Sequence, residues 1–317
     1  MLRTRFTELF GLEHPVMSAP MAMHSGGTLA AAVSGAGGMG SFGGIHETEG
    51  PDWIRAQAAL VRDRTDRPFA IGFITPFLPF AAGHFQAAID AAPAAIALSF
   101  ADPGDWGRRV KERGIRLICQ AQTFDDADLA VAAGADVLVA QGGEAGGHTG
   151  KMSLLPLLAG IAERYPEVPL LAAGGIANGR TLAAALLAGA DGGWLGTAFL
   201  ATPEAVEVSE SHKAAVVASD GGDTVFTHLY DIAFGAPWPS AIGARVRREA
   251  FTEEWAERDA ELRERRDSVT PGSPLYFGQS ARFVEAVRPA ADVLRLVSTS
   301  AEQFLRERSA ELISLSR

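Results

Sequence analysis

The stretch Gln141-Gly142-Gly143-Glu144-Ala145-Gly146-Gly147-His148-Thr149-Gly150 holds the most chemically suggestive spacing in the chain. Five of its ten residues are glycine, which lets the backbone reach positive φ and approach a ligand closely. His148 sits near the end of that run, after an apolar segment at Asp136–Ala140 and before a helical pattern that starts near Met152. An imidazole gains or loses its proton near neutral pH. On a glycine-rich turn after a strand it can serve a cofactor enzyme as base or donor. The plain alternative is a solvated loop that carries one histidine. Glu144 either orients His148 or caps and pairs within the loop.

Three other segments close apolar runs in a similar way: Ser18-Ala19-Pro20-Met21, Ala173-Gly174-Gly175-Ile176 and Gly196-Thr197. In the last two, glycines bare backbone N–H groups, a helix start adds partial positive charge, and Thr197 adds a hydroxyl. They resemble a phosphate site, against the alternative that the glycines only permit tight turns. Gly35-Ala36-Gly37-Gly38-Met39-Gly40 fits G-x-G-x-x-G, but a helical pattern precedes it and a strand follows. The dinucleotide fingerprint needs the reverse order, so this is a helix-to-strand turn. The seven histidines are dispersed and form no H-x-x-x-H pair, so no metal site is expected. No G-x-S-x-G elbow is present. Glu47 and Asp52 read as ordinary helix-start residues. Cys119 is the single cysteine; it lies in an apolar run, reads as core, and fits a reducing cytosol.

Eight apolar runs can position these residues: Pro15–Ala19, Gly38–Gly43, Phe69–Ile74, Ala94–Phe100, Ile115–Ala121, Asp136–Ala140, Val168–Ala173 and Asp191–Leu195. Helical patterns follow each, at Thr28–Ser34, Asp52–Arg64, Ala81–Ala91, Asp105–Arg113, Asp125–Ala133, Leu154–Arg164, Gly179–Ala188 and from Thr197. Near-continuous apolar strands separated by helices imply a parallel sheet buried on both faces. Eight units closing on themselves give an α/β fold, a (β/α)8 TIM barrel, with an open doubly wound sheet as the alternative. Ligands of such a barrel bind at the C-terminal ends of the strands, where the four segments above all fall. The barrel is expected over 1–204, with 275–317 packing back on it and 205–274 forming a small, mostly helical appendage. Within that appendage Phe251–Arg266 reads as one charged helix; Val284–Glu307 reads as a later helix in the part that packs back on the barrel. Phe73, Phe77, Phe80 and Phe100 are either an apolar pocket wall or core.

Composition narrows the classes further. Apolar residues make up 47% and charged residues 21% of the 317, enough for a filled core. The 28 basic against 38 acidic residues give a net charge of −10 without a basic stripe, which argues against nucleic acid or an anionic membrane as partner. No apolar run reaches the roughly 20 residues of a membrane helix, and the first residues lack a signal-peptide pattern. A cytoplasmic location is therefore expected, with a homodimer through the late helices as a further expectation.

With these motifs in hand, the chain resembles the nitronate monooxygenases, formerly the 2-nitropropane dioxygenases. The resemblance is carried by Ala19–Ala22 (APMA), Ala36–Gly44 (AGGMGSFGG), the decapeptide with His148, Pro169–Ala205, Asp223-Thr224 and Tyr276–Gln279. Flavin-dependent enoyl-acyl carrier protein reductases share the scaffold and a similar glycine–histidine loop. The resemblance implies FMN in a barrel with a small second domain. It implies that Ala19, Pro20 and Met21 contact the flavin, and that Gln141, Gly146 and Gly147 line its ring or ribityl side. Gly174, Gly175, Trp194, Leu195, Gly196 and Thr197 would hold the phosphate end. His148 would be the active-site residue, as base or as hydrogen-bond donor to a nitronate. Two departures stand out. Gly72 takes the place where many members end strand three with an Asn, and Ala101-Asp102 stand where better-studied members carry a second His. The implied reaction is oxidation of alkyl nitronates, such as propionate 3-nitronate, by O2 to a carbonyl compound and nitrite. The competing readings are an FMN-dependent NAD(P)H oxidoreductase acting on a quinone or enoyl thioester, and a non-redox barrel for a phosphorylated metabolite.

Overall fold

A computed structural model describes residues 2–46 and 48–313; Glu47 lies outside the described residues. Eight strands run parallel: β1 (Val16–Ser18), β2 (Gly40–Gly43), β3 (Phe69–Ile74), β4 (Ala95–Ser99), β5 (Arg116–Ala121), β6 (Val137–Gln141), β8 (Leu170–Ala173) and β9 (Gly192–Leu195). They form one sheet in the order β1-β9-β8-β6-β5-β4-β3-β2. Its two ends meet where Met39 N–H donates to Val16 O and Ser18 N–H to Met39 O, both at 3.0 Å. The sheet is thereby a nearly closed barrel, the TIM-barrel class expected from the eight apolar runs.

Strand residues alternate between two buried layers. Val16, Phe42, Ile71, Phe73, Leu98, Leu117 and Leu138 face outward into the layer beneath the helices. Met17, Met39, Ala70, Ala97, Ile118, Val139, Leu171 and Trp194 fill the barrel itself. Burial of both faces explains why the strands read as unbroken apolar runs. The helices between strands are α2 (Gly27–Gly35), α3 (Pro51–Arg64), α4 (Ala82–Asp90), α5 (Gly104–Glu112), α6 (Phe124–Ala132), α7 (Leu154–Arg164) and α8 (Gly179–Leu187). Thr123 and Asn178 start α6 and α8 with capping boxes, which fixes where each βα loop ends. Before the first strand, α1 (Arg5–Phe10) puts Phe6 and Phe10 with Leu12 into the barrel's interior cluster. Buried Asp191 ties that end together, pairing with Arg5 at 2.6 Å and accepting from Leu170 N–H at 2.9 Å.

Beyond β9 come α9 (Thr197–Leu200), α10 (Glu210–Ala218), β10 (Thr224–Thr227), α11 (Leu229–Phe234), β11 (Gly243–Arg247), α12 (Ala250–Glu254) and α13 (Asp259–Arg265). The two strands pair antiparallel, and β11 also pairs with β7 (Gly147–Thr149) inside the glycine-rich decapeptide. A three-stranded sheet, order β10-β11-β7, thus joins residues 205–274 to the loop after β6. Strands this short carry no apolar run to betray them. The single helix expected at Phe251–Arg266 is two helices, because Glu257 turns to a φ of 61°. The late helix, α14 (Ala290–Leu312), starts after Pro289 and packs on α8 and α2. Among the described residues no helix is long and apolar enough to cross a membrane.

Candidate active site

His148 is held from three sides. Its strand β7 is fixed by register, with Ala244 opposite His148 and Arg245 opposite Gly147. Arg245 also donates through Nε to Gly143 O at 2.8 Å, pinning the glycine run to β11. The imidazole Nε2 lies 2.8 Å from Asp231 Oδ1. On its face lies Trp238, parallel within 10° at a centroid distance of 3.5 Å. Since a carboxylate only accepts, Nε2 carries the proton in the neutral ring and Nδ1 keeps the lone pair. Nδ1 has no partner among the described residues, so it is the atom left for a substrate.

Asp231 and Trp238 carry no mark in the sequence that ties them to His148; they stand 83 and 90 positions downstream, in a segment that reads as an appendage. Glu144 turns out to cap rather than orient: both of its carboxylate oxygens accept from Leu154 N–H, at 3.2 and 3.1 Å, at the start of α7. Trp238 also meets Phe77 and Phe100 edge-on, at 5.1 and 5.3 Å. Phe100 reaches it with a φ of 74°. Of the four phenylalanines considered for a pocket wall, Phe77 and Phe100 pack together against Trp238. Phe73 is core against Phe85, and Phe80 is exposed. Where the resemblance leads one to expect a second His, Asp102 accepts from Gly104 N–H in a turn.

Below His148 the upper barrel is lined by amides. Gln122 Nε2 donates to Gln120 Oε1 at 3.1 Å and to Gln141 Oε1 at 2.9 Å. Gln141 Nε2 in turn donates to His148 O at 3.1 Å. All three are buried. Gln120 and Gln122 went unremarked in the sequence, although their spacing of two residues, at the end of β5 and just past it, signals a shared inward face.

The remaining candidates fall around this floor. Ala19, Pro20 and Met21 follow β1, and Met21 Sδ approaches Gly196. Gly72 lies under the Pro20 ring so closely that a Cβ there would overlap Pro20 Cγ and Cβ. Trp194 faces into the barrel, whereas the Leu195 side chain faces outward beneath the helices. Gly174 and Gly175 turn the chain after β8 with φ of 94° and 73°. Gly146 abuts Phe277 and Gly278, and Gly278 N–H donates to Thr197 Oγ1 at 2.9 Å. The decapeptide, the turn after β8 and the start of α9 therefore meet at one corner. The N–H groups of Gly175, Ile176 and Thr197 donate to nothing among the described residues. A glycine-walled rim, free backbone donors at one corner and a buried amide floor fit a flat, phosphorylated cofactor such as a flavin nucleotide.

Comparison with known proteins identifies the family. The nitronate monooxygenase family model matches residues 3–81 and 80–235. A probable nitronate monooxygenase of Staphylococcus saprophyticus is 28% identical over 95% of this chain and 98% of its own. The nitronate monooxygenase of Neurospora crassa is 31% identical over 92% and 90%. Among solved structures, FabK of Thermotoga maritima superposes with a TM-score of 0.84 at 30% identity, covering 98% of this chain and all of its own. A nitroalkane oxidase of Streptomyces ansochromogenes gives 0.77 at 28%, covering 96% and 99%. The chain is an oxidoreductase that belongs to the nitronate monooxygenase family.

Proposed function

We propose that this enzyme uses FMN to oxidise alkyl nitronates with O2, giving a carbonyl compound and nitrite. The observation that carries the reading is the orientation of His148: Asp231 takes Nε2–H, so the neutral ring presents a basic Nδ1. Such an atom can receive the proton on the carbon beside a nitro group, or, once protonated, donate to a nitronate oxygen. Bound FMN would supply the redox chemistry between nitronate and O2. The protein's share is positional. Ala19, Pro20 and Met21, with Gly72 beneath them, would support the flavin ring. Gln141 and Gly146 would border it, with Gly147 beside them. Gly174, Gly175, Trp194, Leu195, Gly196 and Thr197 would hold the phosphate end, Leu195 through its backbone alone. Phe77, Phe100 and Trp238 would exclude water from the substrate side.

A second reading has its own support: FabK of Thermotoga maritima matches nearly the whole chain. A carboxyl-CoA dehydrogenase of Mycobacterium tuberculosis is 33% identical over 72% of the chain and 64% of its own. On that reading the electrons would come from NAD(P)H by way of the flavin and go to a thioester or quinone. Anaerobic titration followed by the visible spectrum separates the two. Bleaching by ethylnitronate or propionate 3-nitronate, with nitrite on admitting air, is expected. Rapid bleaching by NADH or NADPH with none by nitronate would replace the first reading with the second.

A further inference from the structure

Away from the barrel, the segment that supplies Asp231 surrounds a cavity of about 290 Å3, whose walls include His228, Asp231, Trp238, Arg263 and Arg266. Arg263 has no ion pair or hydrogen bond from its side chain among the described residues. Arg266 has only the exposed Asp267, at 3.4 Å. Two guanidinium groups facing one hollow attract an oxyanion. Asp231 adds a second demand. It is 8% exposed and gives Oδ1 to His148, while its buried Oδ2 has no hydrogen-bond partner. A buried acceptor left without a donor is costly.

One chemical group meets both demands. A phosphate that retains a proton would accept from Arg263 and Arg266 through its bare oxygens and donate its P–OH to the Asp231 carboxylate. Phosphate monoesters lose their second proton near pH 6, so a protonated form is at hand near neutrality. Sulfate is fully ionised there and would face the carboxylate without a proton to offer. We propose that this cavity is a phosphate-binding site, selective for protonated phosphate over sulfate and distinct from the corner at Gly175 and Thr197. The cavity exceeds one phosphate in size, leaving room for an organic substituent. The proposal does not rest on which electron donor the enzyme uses.

Calorimetric titration of the flavin-loaded enzyme with inorganic phosphate, sulfate and phenyl phosphate tests it. Saturable phosphate binding is expected, with sulfate at least about tenfold weaker. Arg263→Ala and Arg266→Ala should each weaken phosphate binding by about tenfold, as expected for a charge-assisted hydrogen bond. Both arginines are exposed, and an unchanged melting temperature in phosphate-free buffer checks that the variants fold. Asp231→Asn should erase the preference over sulfate. Tighter binding of phenyl phosphate than of inorganic phosphate marks a phosphorylated metabolite as the natural ligand; the reverse marks free phosphate. Absence of saturable binding, equal affinity for sulfate, or indifference to both arginine substitutions overturns the proposal.

Discussion

Trp238 and His148 lie face to face, with ring centroids 3.5 Å apart and planes within 10°. The contact holds one face of the imidazole and leaves its edge to set the chemistry. Stacked rings contribute about 0.5–1.5 kcal/mol beyond the area they bury. Trp238→Ala should therefore lower kcat/KM by about 2- to 13-fold, and Trp238→Phe by less. Steady-state rates of both variants check this; equal losses would show that stacking does not hold the ring.

His148→Ala removes the proposed proton acceptor. Positioned acid–base groups contribute about 10²–10⁴ in rate, and that loss is expected with neutral nitroalkanes. Preformed nitronates need no proton removed, so the loss with them should be clearly smaller. Parallel assays on nitroethane and ethylnitronate separate the cases, and equal losses would rule out a role as base alone.

Asp231 positions His148 from α11 through a 2.8 Å contact. Hydrogen bonds to charged groups contribute about 1.5–3 kcal/mol, so Asp231→Ala should cost about 10- to 150-fold in kcat/KM. Asp231→Asn keeps an oxygen acceptor and should cost less. The loss should fall on kcat more than on KM with nitroethane; a change in KM alone would show that Asp231 shapes the pocket and leaves the imidazole unaffected.

The barrel was legible because each strand is buried on both faces and leaves an apolar run, as Phe69–Ile74 does at both of its boundaries. His148 was legible because glycines surround it. Its partners were not. Asp231 sits on a six-residue helix, and Trp238 on a loop, brought to His148 by β11, a strand of five residues. Pairing between strands that short depends on register across 96 residues, from His148 to Ala244, and no local pattern announces it. The glutamine floor was hidden for another reason: inward-facing amides of β5 and its following residues look like interruptions of an apolar run until the barrel closes around them.

Gly72 stands where the resemblance to the family implies an Asn. Because a Cβ at Gly72 would overlap the Pro20 ring, Gly72→Asn cannot restore a missing contact without displacing the β1 loop. Overpacking of this kind costs about 1–3 kcal/mol. The variant should bind FMN about 5- to 150-fold more weakly by fluorescence quenching. Unchanged or tighter binding would mean that the loop gives way freely.

His212 links stability to pH. The side chain is buried on α10, and its Nε2 faces Tyr276 O at 3.1 Å. Burial, with His24 close by, pushes its pKa down to about 4, whereas an unfolded histidine titrates near 6.5. Between these values the unfolded chain binds more protons than the folded one, so stability rises with pH. The contribution is complete above about pH 6.5 and is lost as pH falls toward about 4. At about 1.4 kcal/mol per unit it amounts to roughly 3 kcal/mol. His212→Gln keeps a donor for the Tyr276 carbonyl and removes the titration. Urea unfolding at pH 7 and pH 5 should show the wild type losing more stability than the variant over that interval. Equal losses would place the acid sensitivity in other groups.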